Sequence, residues 1–300
     1  MTPRELIAEA WAITQREKSL RHWGFFASFF ETLLNLKLIS YQVYFLIEYW
    51  RGGDAGFFDV EINIYHSMPH WFFWTFVITL TVLITIELFV PQLALGAITG
   101  LAAKSHAGEP ATGGLVLSLY NFFPIFAIHE SLFLSSWATV ITACSVALRY
   151  VDGDIKFWII GFLAFFWVVS NILAFFFSFA IPAVVIEKQG IFPAIALSFK
   201  LIISYLGRVM FLMLLLFVIV IRVILNTLIV LIIPAIVVGI ALLFTFILSP
   251  AARYTIALGI GTVLVLIASY FFGYLHVFQH TVWTITFMEL RKHKDLDVIG

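Results

Sequence analysis

The sequence predicts an all-α, polytopic transmembrane helical bundle of about six spans with short interfacial amphipathic helices, and three observations carry that expectation. Hydrophobic residues make up 62% of the 300 positions and charged residues only 11%, against roughly 45–50% and about 25% in soluble domains. A soluble domain of this length buries only about three quarters of the surface its unfolded chain exposes, so one aqueous core cannot hide this much apolar surface. The apolar residues also fall into runs of about 20 or more, long enough to cross a bilayer as helix. Those runs lack the apolar–polar alternation of barrel strands.

Taken in order, the N-terminal stretch Arg4–His22 is charged and amphipathic. It has neither the short apolar core nor the small-residue cleavage site of a secretory signal, so the first apolar segment is expected to act as an uncleaved insertion signal. Phe25–Tyr49 is the first expected span, although Glu31 and Lys37 interrupt it. Trp71–Leu101 is the second, Leu115–Leu148 with Pro124 the third, and Phe157–Ile186 the fourth. From Val209 to Met288 the chain is almost continuously apolar, broken by Pro234 and by Ser249-Pro250-Ala251-Ala252-Arg253. That stretch holds two spans with Pro234–Pro250 as a re-entrant or interfacial segment between them, or else three short spans. The loop Arg51–His70 sets Asp54, Asp59 and Glu61 among Phe57, Phe58 and Tyr65, and reads as an acidic, aromatic interfacial lid.

Charge asymmetry decides between six and seven crossings. Arg4, Arg16, Lys18, Arg21, Lys104, Lys188, Lys200, Arg208, Arg291, Lys292 and Lys294 fall on one side of the layout. Arg51, Arg149, Lys156 and Arg253 fall on the other. The positive-inside rule places the first set in the cytoplasm. Both termini are then cytoplasmic and the number of crossings even, so six is expected and seven is the alternative. The whole chain, 1–300, reads as a single integral domain of the cell (inner) membrane.

A weak repeat emerges. The stretches Arg4–His22, Thr112–Phe123 and Phe192–Leu206 each precede a helical hairpin. In the third, Ile195, Phe199, Ile202, Ile203 and Leu206 recur at helical spacing, while Ser198 and Lys200 fall off the apolar stripe. Gly190 and Pro193 break the span before it. Such a helix lies along the interface more readily than it crosses, the alternative being a plain extension of the following span.

Several short segments resemble a known group. They are Glu9-Ala10-Trp11-Ala12-Ile13-Thr14, Lys18-Ser19-Leu20, Gly24-Phe25-Phe26-Ala27-Ser28 and Gly108-Glu109-Pro110-Ala111-Thr112. To these are added Ile181-Pro182-Ala183-Val184-Val185-Ile186-Glu187 with Gly190-Ile191, Ala194 to Ser198, and Thr281-Val282-Trp283-Thr284 with Glu289-Leu290-Arg291. Together they resemble the uncharacterised bacterial membrane proteins grouped with the glycerophosphoryl diester phosphodiesterase membrane-domain family. The resemblance implies a multi-span fold with interfacial helices. It implies no phosphodiesterase chemistry, because the catalytic barrel that some relatives carry is absent here.

Chemistry-bearing motifs are sparse. Seventeen basic residues balance seventeen acidic ones, so no nucleic-acid partner is expected. Cys144 is the single cysteine and supplies neither a disulfide nor a cysteine metal cluster. No phosphate-cradling Gly-rich loop and no G-x-S-x-G elbow occur. His129-Glu130 begins like a zinc-protease helix, but Phe133 stands where the second ligand belongs. His276 and His280 share a helix face without a third ligand nearby, which favours hydrogen bonding over metal or haem ligation. No cofactor is expected.

Ionisable residues inside spans are costly and demand partners. Lys37, Glu87, His129, Glu130, Arg222 and Asn226 therefore form the candidate intramembrane polar network, with Glu130–Arg222 the first pair named. It serves as a structural register device or as a polar path for ions or protons. The expected function is a non-enzymatic scaffolding or assembly role in the cell envelope, with membrane lipids and other membrane proteins or further copies as partners. A small transporter or lipid-handling protein is the alternative, and an intramembrane lipid enzyme a third reading. Gly96 and Gly100 offer a small-xxx-small face for helix association.

Overall fold

The structure is a computed structural model that describes residues 1–52, 59–67, 69–243 and 250–292, apart from some side chains within 59–67, 206–243 and 250–258. The described residues are helical, with no strand among them. In chain order the helices are α1 (Pro3–Arg16), α2 (Lys18–Trp50), α3 (Asp59–Ser67), α4 (His70–His106), α5 (Gly114–Tyr120) and α6 (Phe122–Glu130). A single 3₁₀ turn, Phe133–Ser135, leads to α7 (Trp137–Tyr150), α8 (Ile155–Phe176), α9 (Ala180–Glu187), α10 (Ile191–Ser204), α11 (Leu206–Leu243) and α12 (Pro250–Lys292).

Among the described residues, three helices are long and apolar enough to cross a membrane: 70–106, 155–187 and 259–292. The pair α10 and Leu206–Leu212, bent by 95° at Tyr205, makes a fourth if counted as one broken span. α8 has no buried residue at all and is apolar all round, the pattern of a helix solvated by lipid rather than water.

The expected repeat takes structural form: a short helix precedes a long one at α1/α2 and at α10/α11, and α5 precedes the short α6. α1 starts at a capping box in which the Thr2 hydroxyl accepts from the Glu5 N–H (3.4 Å) and the Glu5 carboxylate accepts from the Thr2 N–H (2.7 Å). The Thr2 N–H holds the Glu5 carboxyl below its usual range. The helix buries Leu6, Ala10 and Ile13 against the bundle. α1 ends at Arg16, so the remainder of the Arg4–His22 stretch belongs to α2.

Packing is concentrated at one end. Leu6 and Ile13 of α1, Leu20 of α2, Ile98 and Leu101 of α4, Phe179 and Val184 beside and within α9, Leu201 of α10 and Ile285 and Phe287 of α12 form one buried cluster. α2 and α12 touch there without intervening side chains. A β-carbon on Gly24 would collide with Val277 Cγ2 and stand 2.6 Å from the Gly273 carbonyl oxygen, and one on Gly273 would lie only 2.8 Å from the Phe25 nitrogen.

Four expectations need correction. Leu115–Leu148 is not one continuous helix. It breaks at Asn121, whose Nδ2 donates back to the Leu117 carbonyl (2.8 Å), and again over residues 131–136, where Ser136 caps α7. Pro124 sits in the first turn of α6, where a missing N–H costs little. Gly96 and Gly100 are not free for association. They receive α5 and α6 within the chain: a β-carbon on Gly100 would lie 2.7 Å from Leu117 Cδ1, and one on Gly96 3.1 Å from Ile125 Cδ1. Pro234 begins no separate segment, because α11 continues through it to Leu243. Of the expected re-entrant stretch, residues 244–249 lie outside the described residues, as do Asp54, Phe57, Phe58 and the Glu61 side chain of the expected lid.

The fourth correction concerns Ser198, which faces inward and is fully buried. The fourth expected span breaks between α8 and α9, leaving a backbone N–H and a carbonyl without helical partners. Ser198 Oγ accepts from the Phe179 N–H (3.0 Å) and donates to the Phe176 carbonyl (2.6 Å). One hydroxyl thus satisfies both orphans where no water is at hand. Ser198→Ala should lower stability by about 2 kcal/mol, the cost of leaving buried backbone groups unpaired. Thermal unfolding in detergent checks this, and an unchanged midpoint would show that the break is satisfied otherwise.

Candidate functional site

The polar residues singled out in the sequence group on α2, α4 and α6. Glu17 accepts from the Ser105 hydroxyl (2.9 Å) at the start of α2, and Lys37 further along meets Glu87, so α2 and α4 run antiparallel. Lys37 Nζ donates to Glu87 Oε2. The Glu87 side chain is completely enclosed, while that of Lys37 is 32% exposed. This ion pair inside the bundle joins residues 50 apart in sequence, a partnership that the local spacing of neither residue foretells.

One turn and a half along α4, Gln92 Nε2 lies 2.9 Å from His129 Nδ1. With the amide donating, Nδ1 is the bare ring nitrogen, and its 3.4 Å approach to Glu130 Oε1 is then no hydrogen bond. His129 and Glu130 end α6 at a helix break and are partly exposed, so neither sits within a continuous span as expected. The Arg222 side chain lies outside the described residues, and with it the expected Glu130–Arg222 pair. Asn226 is half-buried on α11, its Oδ1 enclosed without a partner.

Among the described residues, five enclosed oxygens on α2 and α4 have no partner: Ser28 Oγ, Gln42 Oε1, Glu87 Oε1, Gln92 Oε1 and Thr99 Oγ1. Glu87 Oε1 is one of them, beside the ion pair that joins α2 to α4. A small cleft of about 20 Å³ lies elsewhere, lined by Met1, Leu6, Arg208, Leu212 and Thr286 at the packed end. The rings of His276 and His280 sit 4.6 Å apart. Among the described residues no group of three or more His, Cys, Asp or Glu is placed to hold a metal ion.

The packed end carries a second polar group that sequence reasoning missed. His106 at the end of α4 contacts Glu9 of α1 through Nδ1 (2.6 Å) and approaches Glu289 of α12 through Nε2 (3.7 Å). Arg291 of α12 donates to both oxygens of Glu187 at the end of α9 (2.5 and 3.2 Å). Side chains from α1, α4, α9 and α12 therefore meet on one face. The concentration of Lys and Arg in these same segments is the signal in the sequence that points there.

These features define an all-α chain with membrane-length apolar helices and an enclosed ion pair between two of its helices. No family model, no curated protein and no solved structure matches the chain.

Proposed function

We propose that the chain is a non-enzymatic integral membrane protein of the cell envelope that works by association, as a scaffold or assembly partner for other membrane proteins or further copies of itself. The observation that supports this best is the Lys37–Glu87 pair. A transport path needs its charges to face an aqueous cavity, whereas Lys37 faces Glu87, whose side chain is completely enclosed. The broad apolar surface of α8, with Trp158 81% and Phe162 63% exposed, and of the first half of α4 is available to lipid and to neighbouring spans. The resemblance to the glycerophosphoryl diester phosphodiesterase membrane-domain group belongs to the same reading, without its chemistry.

The proposed topology has six crossings: α2, α4, the broken α6–α7, α8–α9, α11 and α12. The packed face, where the basic residues gather, is cytoplasmic. Cysteines introduced at positions 60 and 298 should label from opposite sides of the membrane. Labelling of both from one side would rule the six-span layout out.

The second reading, a small transporter, draws on the unpartnered oxygens of the α2/α4 seam. Photo-crosslinkers placed at Ile78 and Phe162 separate the readings. Association predicts discrete protein adducts in native membranes, and lipid adducts alone would contradict it.

A further inference from the structure

The end of the bundle opposite the α1/α12 contact carries a cation without a counter-charge among the described residues. Arg149 lies in the last turn of α7. Its guanidinium carbon stands 4.1 Å from the centroid of the Phe45 ring and 5.1 Å from that of Tyr150. Nε donates to the Ser145 carbonyl at 3.3 Å, but Nη1 is enclosed with no acceptor. No ion pair joins Arg149 to a carboxylate among the described residues. Glu48, one turn beyond Phe45 on α2, is engaged by Arg51 at 3.3 Å.

Two further polar groups lie one turn away along the same two helices. Ser145, one turn before Arg149 on the same face of α7, is 1% exposed and its hydroxyl has no partner. Thr142, Ser269 and Thr286 fold back on the carbonyl four residues earlier at 2.7–2.8 Å, whereas Ser145, like Ser28, Thr99 and Thr281, does not. Gln42, one turn before Phe45 on α2, is 6% exposed with its Oε1 unpartnered. Turning the amide by 180° presents an N–H instead. Three side chains with unused hydrogen-bonding capacity therefore lie within about a turn of the Phe45–Arg149 contact between α2 and α7. An unpartnered buried cation is costly enough that a counter-anion is expected.

The level in the bilayer says which anion. Trp50 at the end of α2, Trp71 at the start of α4, Tyr150 at the end of α7 and Trp158 at the start of α8 are all exposed. Amphipathic aromatic rings gather at the headgroup layer, where lipid phosphodiesters are the abundant anions. A guanidinium fork matches two phosphate oxygens at once.

We propose that Arg149, Ser145 and Gln42 form a binding site for the phosphodiester group of a membrane lipid. Arg149 forks onto two non-bridging oxygens. The Ser145 hydroxyl and the Gln42 amide donate from the α2/α7 contact, and the acyl chains run down the apolar surface beside α7. The site stands independently of the associative function proposed above.

Native mass spectrometry of the purified full chain tests it, with phosphatidylglycerol, phosphatidylcholine and a galactosyl diacylglycerol titrated separately. One tightly held adduct is expected with both phospholipids and none with the phosphate-free galactolipid. Arg149→Gln should weaken that adduct about tenfold or more, as loss of a charge-assisted hydrogen-bond pair does. Arg51→Gln should leave it unchanged. Should Arg149→Gln fail to fold, Arg149→Lys keeps the charge and removes the fork, and together with Ser145→Ala it still weakens binding if the site is real. Equal retention by folded Arg149 variants, or equal binding of the galactolipid, would overturn the proposal. Protection of the protein by inorganic phosphate without a phospholipid adduct would assign the site to free phosphate and overturn the lipid assignment.

Discussion

Gly273→Val should abolish the native bundle. The β-carbon alone would meet backbone atoms of α2: the Phe25 nitrogen at 2.8 Å, and the Gly24 carbonyl carbon and Phe25 Cα at 2.9 Å. Backbone cannot rotate away as a flexible side chain can, so the two helices must separate. That opens the contact around Leu20, Ala27 and Val277, all buried. Overpacking typically costs about 1–3 kcal/mol even where side chains can adjust, and here the loss should be about 4 kcal/mol or more, within the range reserved for a few drastic mechanisms. Gly24→Val meets the same obstacle from the other helix. A β-carbon on Gly161 in α8 would find nothing within 4 Å, so Gly161→Ala is the neutral control. Yield of monodisperse protein and the thermal midpoint report the difference, and a Gly273→Val protein melting like its parent would refute the described crossing.

The second large effect is expected at the ion pair. Lys37→Met removes the ammonium and strands a completely enclosed Glu87 carboxylate. Breaking a buried pair from one side costs about 3–5 kcal/mol, whereas replacing both partners by apolar residues is often neutral or better. The partial exposure of Lys37 puts its single variant near the low end, about 3 kcal/mol. Lys37→Met with Glu87→Met should recover most of that loss. A double variant as unstable as the single one would mean that the pair supports more than its own charges.

Much of this fold is legible in the sequence, because apolar runs and breakers act locally. The apolar length of α4 and α8–α9, and the breakers Gly190 and Pro193 at the entry of α10, follow from composition and spacing. Pairing is different. Lys37 and Glu87 each announce a need for a partner, but nothing in their local spacing says which span stands beside which. Ser198 looks like a surface serine until the break over residues 177–179 creates the orphan N–H and carbonyl it satisfies. The Gly24/Gly273 crossing does leave a trace: Gly24 with Ser28, and Ser269 with Gly273, are small residues spaced by four, and both serines are buried. The same spacing at Gly96 and Gly100 suggests an external association face, yet α5 and α6 fill it, since small-residue stripes serve contacts within a chain as well as between chains. His129 and Glu130 fall outside a continuous span because Asn121, Ser131 and Ser136 break a run whose mean hydropathy alone looks unbroken.

The most direct measurement is photo-crosslinking from Phe162 in native membranes, made in the parent chain and in the Lys37→Met, Glu87→Met double variant. If the enclosed charges are structural and the chain acts by association, both proteins give the same discrete protein adducts in similar yield. Adducts to lipid alone in the parent, or loss of the adducts in a double variant that remains folded, would contradict the account.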